Sequence, residues 1–297
     1  MNTLRHVASG LLWLLVALFA TPAGAQEPKK LTILYDAFGP PSALTKDWGF
    51  AAFVEYGGRR ILFDTGNDGR IFAANVRSLG IDLTRLDAVV ISHRHDDHTS
   101  GLNHLIEQNP GVRIYAPQEG AFFKGPVPVG FLKPGPELPV YLRYFDGKPP
   151  ERLVSGTPWE KGNFAIVTST TEIFPGFFVF STRSQKPGTL EMNEVSLAFR
   201  TPEGLAVIVG CSHPGVEKIL EEAAKIDPRL YSVTGGFHLV MTPPQEVRRT
   251  ADLLYDVLGV RRVAPGHCTS ELGLATFMER FKDRFDVAGV GVTLALP

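Results

Sequence analysis

The chain has 297 residues and a formal net charge of -1, from 30 basic and 31 acidic side chains. Hydrophobic residues make up 44% and charged residues 21%, which is the balance of a globular protein and excludes a disordered chain, a collagen-like fibre and a coiled coil. No Lys/Arg cluster of the kind that nucleic-acid-binding proteins use is present, so we expect no nucleic-acid partner. Two cysteines are too few for a disulfide-stapled mini-domain.

The first 25 residues have the pattern of a secretory signal peptide. Arg5 supplies a positive charge, residues 11–20 are apolar, and Ala23-Gly24-Ala25 is the small-x-small pattern that precedes a cleavage point. The apolar run is too short to cross a bilayer of roughly 30 Å as a helix. We expect cleavage after Ala25 and a periplasmic or secreted protein with no stable membrane insertion. An uncleaved membrane anchor is the alternative.

Periodicity and turn residues predict the elements in chain order. The first half is predicted to contain strands over residues 31–38, 50–56, 60–63, 87–92 and 112–116, with helices over 71–79 and 102–108. Later strands are predicted over 164–169, 177–181, 195–200, 205–209, 230–234 and 262–264, with helices over 216–225, 244–258 and 272–285. Hairpins followed by alternating strands and helices predict an α/β (α+β) αββα sandwich in one domain, residues 26–297.

Residues 117–162 do not show this alternation of predicted strands and helices. Nine prolines, from Pro117 to Pro158, argue against a regular helix or central strand. We interpret the segment as an irregular cap inserted in the domain, because it carries aromatic side chains that can pack: Phe122, Phe123, Phe131, Tyr141, Tyr144 and Phe145. The cap is expected to shape a pocket and to contact an apolar or aromatic substrate, with plain packing as the alternative.

The strongest chemical signal is the run His-Arg-His-Asp-Asp-His at residues 93–98, directly after a buried-type strand. His93, His95, Asp97 and His98 are four potential ligands within six residues. A loop leaving a strand can turn the first two toward one metal ion and the last two toward a second. Imidazole nitrogen and carboxylate oxygen suit zinc, and also iron or manganese. The pattern therefore predicts a metal site rather than a polar loop with chance histidines.

Three later predicted strands end in a small-residue turn that carries a histidine. The turns are Gly-Cys-Ser-His-Pro-Gly at 210–215, Gly-Gly-Phe-His at 235–238 and Pro-Gly-His-Cys at 265–268. Glycine lets the backbone turn sharply and approach a centre closely. We expect His213 and His267 to be ligands and His238 to lie near them, with an ordinary hydrogen-bonded histidine as the alternative. Asp64, in an Asp-Thr-Gly turn, is expected to orient a ligating histidine.

These elements resemble the metallo-β-lactamase superfamily. The resemblance is carried by the Asp64-Thr65-Gly66 turn, the run at 93–98 and the Gly266-His267 turn, and it covers nearly the whole chain after the signal. The three histidine turns are similar to one branch, the dihydropterin–ribofuranosylaminobenzene phosphate synthase-like metal-dependent hydrolases. The superfamily implies an αββα sandwich of two mixed sheets flanked by helices, with one or two metal ions at the sheet rim.

The sequence departs from the superfamily pattern at two places. The third motif usually has a histidine, but residues 191–194 (Glu-Met-Asn-Glu) contain none. Gly210-Cys211 stands where the family has a Gly-Asp turn whose aspartate bridges the metals. Cys211 is a candidate bridging thiolate, with His213 in place of the absent histidine. A disulfide between Cys211 and Cys268, or neither role, remains open at this stage.

The residues and the resemblance together predict an exported metal-dependent hydrolase of a small ester, lactone, amide or phosphoester. One or two zinc ions are expected, one held by His93, His95 and His213 and the second by Asp97, His98 and His267; such an ion activates water for hydrolysis. Asp97 is also expected to accept a proton, and His238 to donate a hydrogen bond to the substrate or leaving group. The alternatives are a transferase resembling the synthase, an iron enzyme that handles oxygen or sulfur, and a non-catalytic metal-binding module.

Overall fold

The structure is a computed structural model that describes residues 27–119, 122, 125–127, 135–149, 151, 153–155, 157–189 and 192–297. The predicted signal segment at 1–25 lies outside the described residues. No helix in the described ranges is long and apolar enough to cross a membrane. Two large sheets and one small hairpin form the β-structure.

The first large sheet has seven strands in the order β15-β1-β2-β3-β4-β5-β8. Its strands are β1 (Lys30–Tyr35), β2 (Ala51–Tyr56), β3 (Arg59–Phe63), β4 (Ala88–Val90), β5 (Arg113–Pro117), β8 (Asn163–Val167) and β15 (Thr293–Ala295). The pairs from β15 to β3 are antiparallel, and the pairs from β3 to β8 are parallel. The first and last strands of the described chain are therefore neighbours, with Lys30 opposite Ala295.

The second large sheet has six strands in the order β14-β13-β12-β11-β10-β9. These are β9 (Thr171–Phe174), β10 (Phe177–Arg183), β11 (Asn193–Thr201), β12 (Gly204–Val209), β13 (Leu230–Gly236) and β14 (Arg262–Gly266). The strands β12, β13 and β14 are mutually parallel, and the other pairs are antiparallel. Both large sheets are mixed, as the sequence analysis predicted.

Helices cover the outer faces of the two sheets, and one short helix forms part of the histidine run. They are α1 (Gly69–Ser78), α2 (Asp96–Thr99), α3 (Leu102–Gln108), α4 (Val216–Ala224), α5 (Pro244–Asp252) and α6 (Glu271–Phe281). Buried side chains of α1 and α3, such as Phe72 and Leu105, pack on the first sheet. Those of α4, α5 and α6, such as Ile219 and Phe277, pack on the second.

A third apolar layer lies between the sheets. It joins Phe63 and Val90 of the first sheet to Leu197, Phe199 and Ile208 of the second. Because helices cover one face and the opposing sheet covers the other, central strands such as β4 are buried throughout and read as continuous apolar runs. The predicted αββα sandwich is confirmed.

Most predicted elements are present, with differences at their ends. The strand predicted over 31–38 ends at Tyr35, because the Asp36 carboxylate accepts a hydrogen bond from the Phe38 N–H and turns the chain. The helix predicted over 244–258 ends its α-helical part at Asp252 and continues as a π-helical turn. Strands β9 and β15 were not predicted.

The described residues of the cap segment form short elements, and their aromatic side chains do not all pack. A two-stranded sheet of β6 (Gly125–Val127) and β7 (Leu153–Ser155) and short 3₁₀ helices account for its described structure. Phe122 is buried and stacks on Trp159 with ring centroids 5.5 Å apart. In contrast, Tyr141, Tyr144 and Phe145 are 78%, 59% and 51% exposed. Packing was the wrong expectation for these three, and Phe123 and Phe131 lie outside the described residues.

Candidate metal centre

The candidate ligands follow the carboxyl ends of central strands in both sheets. Asp64 comes directly after β3, and the run at 93–98 follows β4. In the second sheet, Cys211 and His213 follow β12, His238 follows β13 and His267 follows β14. A hydrogen bond from the Val195 N–H to the Ser92 carbonyl, 2.8 Å long, joins the two sheets at this rim. The fold therefore brings distant parts of the sequence to one place.

Asp64 holds the histidine run in position. Its carboxylate accepts hydrogen bonds from the Ser92 N–H and the Ser92 hydroxyl, each 2.7 Å long. The same carboxylate lies 2.7 Å from Nδ1 of His98. Burial acts to lower the pKa of His98, but the charge of Asp64 and this hydrogen bond outweigh it and raise the pKa to about 9. With Nδ1 held by Asp64, the Nε2 atom of His98 faces the other candidate ligands.

One group of ligand atoms comprises Asp97, His98, Cys211 and His267. Nε2 of His98 lies 3.2 Å from Sγ of Cys211 and 3.3 Å from Nε2 of His267. Sγ of Cys211 lies 3.2 Å from Nε2 of His267, and Oδ2 of Asp97 lies 3.3 Å from that nitrogen. Four donor atoms at such separations surround a volume that fits one tetrahedral metal ion.

The second group lies beside the first and contains three histidines. Nε2 of His93 lies 3.1 Å from Nδ1 of His95. The ring of His213 has its centroid 4.8 Å from the ring centroids of both His93 and His95. Ligand atoms of His93, Cys211 and His213 all lie within 4.8 Å of one another, as do those of His93, His95 and Asp97. Cys211 and Asp97 therefore lie between the two groups.

The electrostatics of the second group favour neutral imidazoles. Burial lowers the pKa of His93 well below its usual range, and the neighbouring His98 and His213 lower it further. Burial, followed by His238 and His95, lowers the pKa of His213 to about 2. A neutral imidazole has a free nitrogen lone pair, which is the form that binds a metal ion.

The donor set fits a divalent metal ion. Both ring nitrogens of His213 and Nδ1 of His267 are buried with no hydrogen-bond partner among the residues that the structure describes. A buried polar atom without a partner is costly, and a bound cation would satisfy one ring nitrogen of His213, whereas the nitrogen of His267 that faces the other ligands is Nε2. The groups also include the Asp97 carboxylate, whose negative charge a divalent ion would offset, and the Cys211 thiol, which becomes a zinc ligand when it loses its proton. The residues present thus suit two ions, and the ligand assignment made from the sequence stays a prediction.

His238 and Cys268 lie next to the two groups. The ring of His238 has its centroid 4.2 Å from that of His213, and ligand atoms of Cys211, His238 and Cys268 lie within 4.8 Å of one another. Both cysteines are buried and free, and the Cys268 thiol donates a hydrogen bond to the Cys211 carbonyl, 3.5 Å away. The hydrogen bond with Cys268 is the main cause that raises the pKa of His238.

Two buried carboxylates at this rim were not singled out from the sequence as functional. Glu194 accepts hydrogen bonds from the backbone N–H groups of Ser212 and His213. Asp36 accepts a hydrogen bond from the backbone N–H of His267. The sequence signal is an acidic residue just after an apolar strand for Asp36 and at the start of one for Glu194, which is weak because such residues also occur in ordinary turns.

The chain is similar to known proteins in both sequence and fold. Residues 45–182 match the family model described as the metallo-β-lactamase superfamily. The chain is 26% identical over 287 residues to the 7,8-dihydropterin-6-methyl-4-(β-D-ribofuranosyl)-aminobenzene-5'-phosphate synthase of Methanocaldococcus jannaschii, covering 85% of this chain and 90% of that protein.

Solved structures share the fold along most of the chain. Tm1679, described as a metal-dependent hydrolase of the β-lactamase superfamily, is 27% identical with a TM-score of 0.67, covering 90% of this chain and 98% of that one. The metallo-β-lactamase fold protein YhfI from Bacillus subtilis is 13% identical with a TM-score of 0.53, covering 90% of this chain and all of that one, which shows the fold alone. The fold, the histidine run at the sheet rim and these similarities together show a metallo-β-lactamase fold, with a match to the superfamily's model over residues 45–182.

Proposed function

We propose that the protein is an exported, zinc-dependent hydrolase of a small ester, lactone, amide or phosphoester. The observation that carries this proposal is the pair of ligand groups that meet at Cys211 and Asp97. One ion would be held by three histidines: His93, His95 and His213. A second ion would be held by Asp97, His98, Cys211 and His267. The similarity to Tm1679, described as a metal-dependent hydrolase, supports the same reaction class.

Zinc, when bound there, supplies Lewis-acid chemistry that activates water and polarises an acyl or phosphoryl oxygen. Asp97 is half-buried between the groups. Burial acts to raise its pKa, but the hydrogen bond with His267 and the charge of His98 lower it below the usual range. The carboxylate is thus ionised at neutral pH, and its role is to orient water and accept a proton.

His238 is the residue best placed to contact the substrate. It is half-buried beside His213, and its Nδ1 is buried with no hydrogen-bond partner among the described residues. It lies two residues after the end of β13, and its backbone φ of 48° is in the left-handed region that non-glycine residues rarely adopt. An imidazole N–H at this point can donate a hydrogen bond to the leaving group as charge develops on it.

The test combines metal content with hydrolysis. The protein, purified from the exported fraction, is expected to contain close to two zinc ions per chain by elemental mass spectrometry. It is expected to hydrolyse p-nitrophenyl acetate or bis-p-nitrophenyl phosphate, to lose activity on chelation and to regain it with zinc. A chain that binds no metal after reconstitution contradicts the proposal, and one that binds iron with a visible absorption band favours the iron-enzyme alternative.

A transferase is the second candidate, because the chain aligns with the Methanocaldococcus jannaschii synthase over 85% of its length. The named product of that relative joins a dihydropterin to a ribofuranosylaminobenzene phosphate. Incubation with a dihydropterin donor and the aminobenzene riboside phosphate, followed by mass spectrometry, distinguishes the two candidates. Formation of the conjugate supports the transferase, and hydrolysis of the ester probes without conjugate formation supports the hydrolase.

Export is supported by the charge at Arg5, the apolar residues 11–20 and the Ala23-Gly24-Ala25 pattern. Expression of the full chain in a bacterium, followed by fractionation and N-terminal sequencing, tests it. We expect a periplasmic or secreted protein that begins at Gln26. A cytoplasmic protein that keeps Arg5 contradicts export and strengthens the transferase, because phosphorylated pterin precursors are expected in the cytoplasm.

A further inference from the structure

Glu194 stabilises the turn that carries His213 through hydrogen bonds to its backbone. Its side chain is fully buried at the start of β11, and both carboxylate oxygens are used. Oε1 accepts from the Ser212 N–H at 2.6 Å, and Oε2 accepts from the His213 N–H at 2.8 Å. The turn needs such an anchor because Ser212 has a φ of 63°, in the left-handed region that non-glycine residues rarely adopt.

Asp36 fastens the turn that carries His267 in the same way. Its side chain is fully buried after β1, and Oδ2 accepts from the His267 N–H at 2.9 Å while Oδ1 accepts from the Phe38 N–H at 2.8 Å. His267 itself has a φ of 48°. The contact joins residues 231 positions apart in the chain.

The two carboxylates differ in the ligand that they hold. Glu194 contacts the backbone of His213, which belongs to the histidine-rich group, and Asp36 contacts the backbone of His267, which belongs to the group with Asp97. A carboxylate accepts hydrogen bonds with both oxygens, whereas the amide of Gln or Asn accepts with only one. Replacing either acid by its amide therefore releases one of the two N–H groups.

We infer that Glu194 and Asp36 are positioning residues, each serving one of the two metal ions: Glu194 aims His213 and Asp36 aims His267. The inference rests on the proposed two-metal centre. It also gives a physical account of the missing third-motif histidine. Glu194 lies in the segment where the sequence analysis found no histidine, and it holds the turn that presents His213 in its place.

The test measures the affinity of each ion rather than activity. Stepwise zinc affinities are determined by competition with a chromophoric chelator for the wild type, Glu194→Gln and Asp36→Asn. Each substitution is then combined with His213→Ala and with His267→Ala. Asp227→Asn is the matched control, because Asp227 is a buried carboxylate that accepts a backbone N–H, from Arg229, at a site remote from the ligands.

The effects are expected to be selective. Glu194→Gln should lower the affinity for one of the two ions by roughly 10–100-fold, the range typical of groups that orient metal ligands. In the His213→Ala background, Glu194→Gln should cause no further loss of zinc affinity. In the His267→Ala background, it should cause the same loss as in the wild type. Asp36→Asn should show the opposite pattern, and Asp227→Asn should leave both affinities unchanged. Glu194→Asp, which keeps the charge but shortens the side chain by one methylene, should repeat the Glu194→Gln pattern and replaces it where that variant does not fold.

Two results would overturn the inference, and they are distinguishable. Wild-type protein that binds fewer than two ions contradicts the two-metal centre and, with it, the assignment of one carboxylate to each ion. Wild-type protein that binds two ions, with both ions weakened equally by each substitution or neither weakened, contradicts only the positioning role. A loss of thermal stability without a selective loss of affinity belongs to this second result.

Discussion

The Sγ atom of Cys211 lies 3.2 Å from Nε2 of His267, at the point where the two ligand groups meet. Replacing Cys211 with Ser substitutes a weaker oxygen donor for the thiolate. We expect the Cys211→Ser protein, loaded with cobalt, to lose the near-ultraviolet sulfur-to-metal absorption band and to bind zinc more weakly than the wild type. Absorption spectroscopy and chelator competition measure the two effects.

Cys268→Ser is the control for that variant, because the Cys268 thiol donates to the Cys211 carbonyl in the structure. We expect it to keep the sulfur-to-cobalt band. Loss of the band in Cys268→Ser, with retention in Cys211→Ser, would assign the ligand to the other cysteine.

His95→Ala is expected to reduce bound metal and abolish hydrolysis while leaving the fold intact. His95 is half-buried and its Nδ1 lies 3.1 Å from Nε2 of His93, so its removal opens the histidine-rich group at its exposed side. Elemental mass spectrometry and far-ultraviolet circular dichroism test this. His104→Ala is the control, because His104 lies on α3 against Phe72, with ring centroids 6.4 Å apart. Wild-type metal content in His95→Ala would contradict the assignment.

His238→Ala separates a role in catalysis from a role in metal binding. We expect kcat to fall by about 10²–10³-fold, the range for loss of a donor aimed at developing charge, with the metal content unchanged. Steady-state kinetics on the zinc-loaded protein gives the first quantity and elemental analysis the second. Loss of an ion in this variant would instead make His238 a ligand, together with Cys211 and Cys268.

Gly210→Ala should destabilise the protein and weaken metal binding together. A Cβ at this position would lie 2.2 Å from the Ser92 hydroxyl, which donates to Asp64. Overpacking of this kind lowers the free energy of unfolding by about 1–3 kcal/mol, and here it also displaces the group that orients His98. Denaturant unfolding and zinc competition are the measurements. Gly111→Ala, where a Cβ meets nothing within 4 Å, should leave both unchanged.

The layers of the fold could be predicted from the sequence because they depend on local patterns, and the same patterns locate the turns that carry the candidate ligands. The buried run of β4 and the histidines after it can be read directly, and so can the glycine turns before His213 and His267. The weaker predictions concerned contacts between distant segments. Strand β15 has three residues and exists because β1 lies beside it, so no local signal identifies it.

The carboxylates show the same limit at the candidate site. Asp64 was predicted to orient a histidine because it is a carboxylate in a turn at the end of a predicted strand, and the structure places it against His98. Glu194 and Asp36 carry no motif, and their partners lie 18 and 19 residues away for Glu194 and 231 for Asp36. The hydrogen-bond partners of these two carboxylates become apparent only in the folded structure. Tyr141 was expected to be able to pack, but it is exposed. An aromatic residue in a proline-rich segment does not by itself indicate whether its side chain is buried.

The pairing of β1 with β15 has a consequence for how the protein matures. The N–H of Leu296 donates to the carbonyl of Lys29, and Asp36 holds the turn of His267, so both ends of the chain are needed for the sheet edge and for one ligand turn. Because a chain is synthesised from its N-terminus, β1 cannot pair with β15, and Asp36 cannot bind the His267 turn, until the C-terminal segments have been made. The turn that carries His267 therefore takes its final position only after strand β1 and the segment after β14 are both present.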